Sequence, residues 1–224
     1  MQVSEIFFSI QGESSRAGLP CIFVRLTGCN LRCHWCDTEY SFYGGERLSV
    51  EQVAGRLRQF PSRLLEITGG EPMLQEKEVL ALIALLPPDW TVMIETSGER
   101  DLSRLPERVV RIMDVKCPGS GESGRFYQPN LQVLTSRDEI KFVLTGREDY
   151  EYARDFIARH RLEAITPHLL LSPAFHKTAG GDRSSRQCRL DPQTLAEWML
   201  ADGIPARLSL QIHKFIWDPA QRGV

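Results

Sequence analysis

Three closely spaced cysteines are the residues of this chain best suited to chemistry. Cys29, Cys33 and Cys36 follow one another in a C-x3-C-x2-C spacing. Thiolates separated by such short spacers can converge on one soft metal centre, because the loop between them can wrap around it. Three thiolates suit a 4Fe–4S cluster that leaves one iron open to a small molecule, whereas a closed cluster takes four cysteines. A structural zinc site with His34 as fourth ligand is the alternative.

A pair of glycines follows later in the chain, in the segment ITGGEP that spans residues 67–72. Without side chains, Gly69 and Gly70 let backbone amides and carbonyls approach a ligand closely. A zwitterionic amino acid needs such groups once its water has been removed. A Gly-Gly turn before a proline is common by itself, so this motif gains specificity from the cysteine loop that precedes it.

Strand and helix patterns alternate along the chain. Strands are predicted over residues 3–8, 21–27, 64–68, 91–95, 109–115, 139–144, 168–172 and 208–211. Helices are predicted from a capping box at Ser49 and Gln52 to about Phe60, and over residues 75–86, 148–160 and 191–202. Residues 179–189 are predicted to form a mobile loop.

This alternation predicts right-handed βαβ units and a mainly parallel sheet. Roughly six units fit the chain, fewer than the eight of a closed barrel. We therefore predict an α/β fold, an open partial (β/α) barrel with shortened helices, as a single domain over residues 1–224. Ligands of such sheets bind beyond the carboxyl ends of the strands. The cysteine loop, the GGEP turn and the segment Thr96-Ser-Gly98 all fall there.

Composition narrows the class of protein further. The chain has 224 residues, 25% of them charged, and a formal net charge of −2, which gives no reason to expect nucleic-acid binding. No apolar run reaches the roughly 18 residues of a membrane span, and the N-terminus lacks a signal-peptide pattern. Clustered thiols without a secretion signal predict a reducing, cytoplasmic setting. The remaining cysteines, Cys21, Cys117 and Cys188, are expected to be small buried residues.

The cysteine spacing, the WCDT that completes it and the GGEP turn resemble the radical S-adenosylmethionine (SAM) superfamily, in which the open iron chelates SAM. The segments SIQGE (residues 9–13), ETSG (95–98) and QIHK (211–214), with Arg25 and Asp37-Thr38, resemble the 7-carboxy-7-deazaguanine synthase family over most of the chain. That resemblance implies a lyase that converts 6-carboxy-5,6,7,8-tetrahydropterin to 7-carboxy-7-deazaguanine, with loss of ammonia, in queuosine and 7-deazapurine biosynthesis. It also implies Mg2+ dependence, an electron donor such as flavodoxin, and a homodimer.

The resemblance also implies roles for individual residues. It places the 4Fe–4S cluster on Cys29, Cys33 and Cys36, and Mg2+ on Thr38. Around SAM it places Trp35, Cys36, Asp37, Gly70, Glu71 and Gly98. Lys116 and Ser172, Pro173, Ala174 and Phe175 are expected near SAM too, although their segments depart from the family's Ser-Pro-Lys and Gln-Pro-Met-Asp-like patterns. Around the substrate it places Ile10, Gln11, Gly12, Arg25, Thr96 and His213.

Physical chemistry agrees with several of these roles and leaves alternatives. A guanidinium is a good partner for the substrate's carboxylate, but Arg25 could instead form a salt bridge inside the barrel. Mg2+ keeps several waters and needs few protein ligands, but Thr38 could simply cap a turn. His213 is expected with Lys214 at the end of the last strand, where it either contacts substrate or packs. Ser14 stands where the family often has glycine.

Two other functions share part of this pattern. A glycyl-radical-activating enzyme would have the cysteine spacing and GGEP, but its protein substrate gives no reason for the SIQGE loop or Arg25. A non-catalytic iron–sulfur electron carrier would need neither GGEP nor ETSG, and it would usually close its cluster with a fourth cysteine.

Overall fold

The computed structural model describes residues 1–176, 187–219 and 221–224. Most of the loop predicted over residues 179–189 lies outside the described residues, which include only its last part, 187–189. The described chain forms one sheet in the order β3-β1-β2-β4-β5-β6-β7-β8-β9. The strands are β1 Gln2–Ile10, β2 Pro20–Leu26, β3 Glu46–Arg47, β4 Leu64–Gly69, β5 Thr91–Thr96, β6 Val110–Asp114, β7 Glu139–Leu144, β8 Leu169–Pro173 and β9 Arg207–Leu208.

Every pairing from β2 to β9 is parallel, and β1 and β3 extend one edge in the antiparallel sense. The helices are α1 Val50–Leu57, α2 Glu76–Leu85, α3 Arg147–His160, α4 Pro192–Asp202 and α5 His213–Ile216. Within the described residues no α-helix joins β5 to β6 or β6 to β7, and the second of these connections contains two short 3-10 helices. The predicted open partial barrel with shortened helices is thereby confirmed.

Buried apolar side chains hold the sheet on both faces, as expected for parallel strands. The larger cluster lies between strands and helices and includes Val24, Ile67 and Leu82. A smaller one, with Phe23 and Met93, occupies the inner face of the barrel. Because the inner face is apolar at that level, the polar residues nearer the carboxyl ends of the strands define where a ligand can bind.

Local sequence signals predicted the start of helix α1 correctly but not its end, and they did not predict strand β3. The capping box is confirmed: Ser49 Oγ accepts from the Gln52 amide at 3.2 Å, and Gln52 Oε1 accepts from the Ser49 amide at 2.8 Å. Helix α1 ends at Leu57 rather than near Phe60. Strand β3 was not predicted, because two residues carry no readable periodicity.

The prediction of a last strand over residues 208–211 is wrong. The strand is only Arg207–Leu208, and the chain then turns into helix α5, so His213 and Lys214 lie on a helix rather than at a strand end. The chain leaves the sheet edge because it bonds to another segment: the Ile212 amide donates to the Gly12 carbonyl at 3.0 Å.

That other segment, residues 11–19, connects β1 to β2 and is called here the barrel-closing loop. Its Ser15 donates from the amide (2.8 Å) and the hydroxyl (2.6 Å) to Glu139, the first residue of β7. The Ser209 hydroxyl donates to the carbonyl of Glu13. The loop therefore crosses the open side of the barrel and places Gln11, Gly12 and Glu13 against its interior.

Candidate active site

One cavity of about 460 Å³ opens at the carboxyl ends of the parallel strands. The predicted site residues that line it are Ile10, Gln11, Gly12, Arg25, Cys29, Cys33, Trp35, Cys36, Asp37, Thr38, Gly70, Thr96, Lys116, Ala174, Phe175 and His213. Four other predicted residues, all within the described part of the chain, do not line it: Glu71, Gly98, Ser172 and Pro173. Tertiary structure thus brings most of the predicted set, drawn from distant parts of the sequence, around one space.

The three motif cysteines face this cavity together. The Leu31 amide donates to Cys29 Sγ at 3.4 Å, a kind of contact that supports sulfur ligands in iron–sulfur proteins. Burial and nearby carboxylate and thiol groups raise the pKa of Cys33 to about 11 although Lys116 opposes them, so a metal binding there displaces a proton. Three thiols on one cavity fit an open 4Fe–4S cluster.

His34 does not complete a zinc site. It is exposed, and among the described residues it is not one that lines the cavity. Its amide instead donates to the Ser120 carbonyl at 2.9 Å, which ties the cysteine loop to the 117–130 segment. Across the described chain no set of three or more His, Cys, Asp or Glu side chains is preassembled for a metal ion, the motif cysteines included.

The GGEP turn packs on the cysteine loop backbone to backbone. A side chain at Gly70 would bring its Cβ within 2.3 Å of the Gly28 carbonyl oxygen and 2.6 Å of Cys29 Cβ. The Glu71 amide donates to the same Gly28 carbonyl at 2.8 Å. The glycine is therefore required by close approach, and it sets the position of the first cysteine.

The Glu71 carboxylate is fully engaged inside the protein. It accepts from the Met73 amide (2.9 Å), the Thr96 hydroxyl (2.8 Å) and the Ser97 amide (2.8 Å). Glu71 therefore ties the GGEP turn to the end of β5, and the backbone of the turn, not this side chain, faces the cavity. Gly98 does not line the cavity but packs on Met113, where an added Cβ would be 2.6 Å from Met113 Cγ.

Arg25 is both paired and available. Its Nε donates to Glu5 Oε1 at 2.7 Å, and the Tyr40 hydroxyl donates to the same oxygen at 2.7 Å. The salt bridge considered from sequence therefore exists, yet Arg25 also lines the cavity. Its two Nη groups have no hydrogen-bond partner in the described part of the chain, so they remain free for an anion.

Thr38 and Asp37 follow the last cysteine with different surroundings. The Thr38 side chain makes no capping hydrogen bond to the turn after it, and its Oγ1 lies 3.7 Å from Cys36 Sγ. Asp37 is paired with Lys214, whose Nζ also lies 4.8 Å from the centre of the Phe175 ring. Burial alone would raise the pKa of Asp37, but the Lys214 ammonium holds this pKa well below its usual range.

The barrel-closing loop is shaped from within. The Gln11 side-chain oxygen accepts from the amides of Glu13 (2.8 Å) and Ser14 (2.9 Å). An added Cβ at Gly12 would lie 2.1 Å from His213 Nδ1, so a larger residue there would displace the imidazole. Ser14 is not among the residues with positive φ, so serine fits where the family often has glycine.

Charged residues inside the barrel were missed by the sequence reasoning. Lys141 Nζ donates to Glu95 Oε1 at 2.8 Å and also to Glu13, and Glu66 Oε2 accepts from Gln11 Nε2 at 2.9 Å. All of them line the cavity. A charge inside an otherwise apolar strand, the signal used for Arg25, would have found Glu66 in LLEITG and Lys141 in EIKFVL.

The end of β6 carries a second pair, Asp114 and Lys116, where the family has Ser-Pro-Lys. Lys116 Nζ donates to Asp114 Oδ2 at 2.6 Å and lies 4.9 Å from the centre of the Trp35 ring. Burial alone would lower the pKa of Lys116, but the Asp114 carboxylate raises it, so the lysine stays charged beside the cysteines. Near the C-terminus, Asp218 and residues 221–224 also line the cavity.

Comparison with known proteins agrees with this geometry. The radical SAM superfamily model matches residues 23–164. A 7-carboxy-7-deazaguanine synthase of Koribacter versatilis is 53% identical, with 100% of both chains covered. That of Chlorobaculum tepidum is 38% identical over 100% of this chain and 97% of its own. The crystal structure of QueE from Escherichia coli aligns with a TM-score of 0.70 at 25% identity, covering 93% of this chain and 92% of that one.

Fold, cysteine loop and family model together define a radical SAM protein, and with that class come a 4Fe–4S cluster and SAM. Within the superfamily, the chain belongs to the 7-carboxy-7-deazaguanine synthase family. No helix in the described residues combines the length and apolarity needed to cross a membrane.

Proposed function

We propose that this protein is a carbon–nitrogen lyase that converts 6-carboxy-5,6,7,8-tetrahydropterin to 7-carboxy-7-deazaguanine, with loss of ammonia. The observation that carries the proposal is the shared cavity: the three motif cysteines, the two glycines of the GGEP turn and Arg25 all line one space. The relatives that match the whole chain carry the name of this activity. The reaction would serve queuosine and 7-deazapurine biosynthesis.

Residues around the cluster bind and orient SAM in this proposal. Cys29, Cys33 and Cys36 would hold the cluster, and together with SAM it would supply the radical chemistry needed to remove hydrogen from ring position six. Backbone groups at Gly70 bind the methionyl end, and Trp35, Cys36, Asp37, Lys116, Ala174 and Phe175 enclose the remainder. Glu71, Gly98, Ser172 and Pro173 act from behind the cavity wall by holding these groups in place.

The substrate lies on the Arg25 side of the cavity. The Nη groups of Arg25 bind its carboxylate, for which a planar guanidinium is well matched. The Thr38 hydroxyl, which caps no turn, would hold Mg2+, a cation that needs few protein ligands. Ile10, Gln11 and Gly12, with Thr96 and His213, form the remaining walls.

The wider setting belongs to the same proposal. The whole chain acts as one domain, in a homodimer, in the cytoplasm, and an electron donor such as flavodoxin reduces the cluster. A glycyl-radical-activating enzyme is disfavoured because its protein substrate gives no reason for Arg25 or for a loop that crosses the open side of the barrel. An electron carrier is disfavoured because its cluster would need no cavity for substrate.

The test is an anaerobic assay with reconstituted protein, SAM, dithionite and the carboxytetrahydropterin. We expect 7-carboxy-7-deazaguanine by mass spectrometry, and formation that stops when SAM is omitted. Cleavage of SAM without this product would reject the proposed substrate. A protein whose absorption spectrum does not respond to SAM would reject the radical SAM activity.

The Mg2+ site has its own test. Thr38→Ala should lower turnover and flatten its dependence on Mg2+, whereas Thr38→Ser, which keeps the hydroxyl, should stay close to wild type. SAM affinity should be unchanged in both, because the hydroxyl is not part of the SAM wall. Identical Mg2+ curves for wild type and Thr38→Ala would remove Thr38 from the metal site.

A further inference from the structure

Glu66 is a buried carboxyl group that faces the cavity with one oxygen unused. Its side chain lies on β4, the residue is only 2% exposed, and it lines the cavity wall. Oε2 accepts from Gln11 Nε2 at 2.9 Å. Within the described residues nothing donates to Oε1. An acceptor on the cavity wall that no protein group donates to is suited to a ligand that supplies N–H or O–H groups.

Gln11 holds Glu66 in place. Its Oε1 already accepts from the amides of Glu13 and Ser14, which fixes the orientation of the side-chain amide. The Nε2 group is thereby directed at Glu66, 55 positions away in the sequence. Gln11 is therefore a positioning residue for Glu66, and Glu66 presents the acceptor to the cavity.

The surroundings of Glu66 are acidic. Glu95 stands on the neighbouring strand, but its Oε1 already accepts from Lys141 at 2.8 Å, and Lys141 also pairs with Glu13. The Lys141 ammonium is thus shared by two carboxyl groups, Glu95 and Glu13, and it makes no hydrogen bond to Glu66. Burial, and then Glu95 and Glu13, raise the pKa of Glu66 well above its usual value although Gln11 and Lys141 oppose them. A neutral ligand edge made of N–H donors fits this region better than an anion does.

The position of Glu66 relative to Arg25 sets the direction of the substrate. In the register of β2 and β4, Arg25 pairs with Thr68, and Glu66 lies two residues deeper on β4. With about 3.3 Å per residue and about 4.8 Å between strands, the two positions are separated by roughly 8 Å. That separation is comparable to the length of a fused bicyclic ring whose carboxylate end points at Arg25.

We propose that Glu66 is the specificity residue that recognises the 2-amino-4-oxopyrimidine edge of the pterin, through the ring N3–H and the 2-amino group. This inference rests on the proposed function, because it assumes a carboxypterin in the cavity. Two N–H donors on the bound ring favour the ionised form of Glu66. An ionised carboxyl group only accepts hydrogen bonds, so a ring with a carbonyl at position 2 would place oxygen against oxygen and bind more weakly.

The experiment compares two unreactive ligands, 6-carboxypterin and its 2-oxo analogue 6-carboxylumazine. Their dissociation constants are measured by calorimetry, with SAM present, for wild type, Glu66→Gln and Glu139→Gln. Wild type should prefer the pterin by about 10- to 100-fold, the value of a charge-assisted hydrogen bond. Glu66→Gln should reduce that ratio at least tenfold, because an amide can accept from one ring and donate to the other.

Glu139→Gln is the matched control. Glu139 is equally buried on a strand, but it bonds to Ser15 and lies outside the cavity, so this variant should keep the wild-type ratio. Unchanged SAM affinity establishes that Glu66→Gln is folded. An unchanged ligand ratio in folded Glu66→Gln overturns the inference, as does a wild type without preference. The proposed function fails separately, if wild type makes no product from the tetrahydropterin.

Discussion

At the scale of single residues, several side chains serve both the structure and the ligand site. Arg25 donates a hydrogen bond from its Nε to Glu5 and also lines the cavity. The salt bridge orients the guanidinium, so the two interpretations considered from sequence are compatible. The ion pair is partly buried, which makes each partner costly to remove alone.

Arg25→Ala should weaken substrate binding by about 2–3 kcal/mol, because a charged partner is left without its hydrogen bonds. Glu5→Gln keeps the guanidinium but weakens the salt bridge that orients it, so this variant should weaken substrate binding by less than about 1 kcal/mol. The measurement is KM and kcat for the carboxytetrahydropterin in both variants. A KM for Arg25→Ala within twofold of wild type would contradict this role.

Glu66 links function to stability through pH. Its pKa, ordinarily 4.5, is raised in the folded protein, by burial first and then by Glu95 and Glu13. The unfolded chain ionises at lower pH than the folded one, so the wild type loses stability as pH rises above about 4.5. Cys21 on β2 and Lys141 on β7 are the other titratable groups near it.

Glu66→Gln removes this titration. We expect the variant to become more stable than wild type, by about 1–3 kcal/mol at pH 8, with little advantage at pH 4.5. Urea unfolding from pH 4.5 to 8 measures the difference. If the gap between the two proteins did not widen with rising pH, the ligand-free fold would not raise the pKa of Glu66.

At the scale of elements, the cysteine loop and the GGEP turn behave as one unit. Gly70 lets the two backbones touch, and the Glu71 amide bonds to the cysteine loop while its carboxylate bonds to the end of β5. Three strand ends are therefore held at fixed spacing. The cysteines depend on this support, because they belong to no helix or strand themselves.

Gly70→Ala should disturb the cysteine loop and lower cluster occupancy after reconstitution, because the added methyl group meets backbone at 2.3 Å. Gly55→Ala is the control: it lies in helix α1 with open space around it and should stabilise by about 0.5–1 kcal/mol. Iron and sulfide content per chain, with circular dichroism, tests both. Full occupancy in Gly70→Ala would show that the turn does not set the loop.

At the scale of the whole molecule, the strands of the sheet do not close into a full barrel. Charged side chains and the barrel-closing loop connect its two sides instead. Lys141 on β7 joins Glu95 on β5 to Glu13 in the barrel-closing loop. Burial alone would raise the pKa of Glu13, but the Lys141 ammonium lowers this pKa to about 2. The Glu13 carboxylate is therefore charged at neutral pH. Segments separated by more than a hundred residues thus share one buried charge network.

Lys141→Met should destabilise the protein by about 2–4 kcal/mol, because two partly buried carboxylates lose their cation. Adding Glu13→Gln and Glu95→Gln should restore part of the loss, since no unpaired charge then remains. Urea unfolding of the single and triple variants measures both effects. If the triple variant were no more stable than Lys141→Met, the charge network would not be the cause.

The sequence alone determined the chemistry available and the class of fold. Spacing of Cys29, Cys33 and Cys36 is a local property of one loop, and alternation of strand and helix patterns is local to each segment. Those signals were enough for the open barrel, the capping box at Ser49 and the position of the site at the strand ends. The resemblance to known sequences supplied the individual roles.

Only the tertiary structure decided how the interior charges are shared. Whether Arg25 pairs with Glu5, whether Glu71 faces a ligand or a neighbouring loop, and which oxygen of Glu66 stays free depend on contacts between distant segments. The last strand was mispredicted for the same reason. The Ser209 amide still bonds to Leu171 of β8, but the Ser209 hydroxyl and the Ile212 amide bond to the barrel-closing loop, and the chain leaves the sheet edge there. Local sequence patterns do not indicate such partners, because burial and hydrogen bonding across the barrel override the preferences of a short segment.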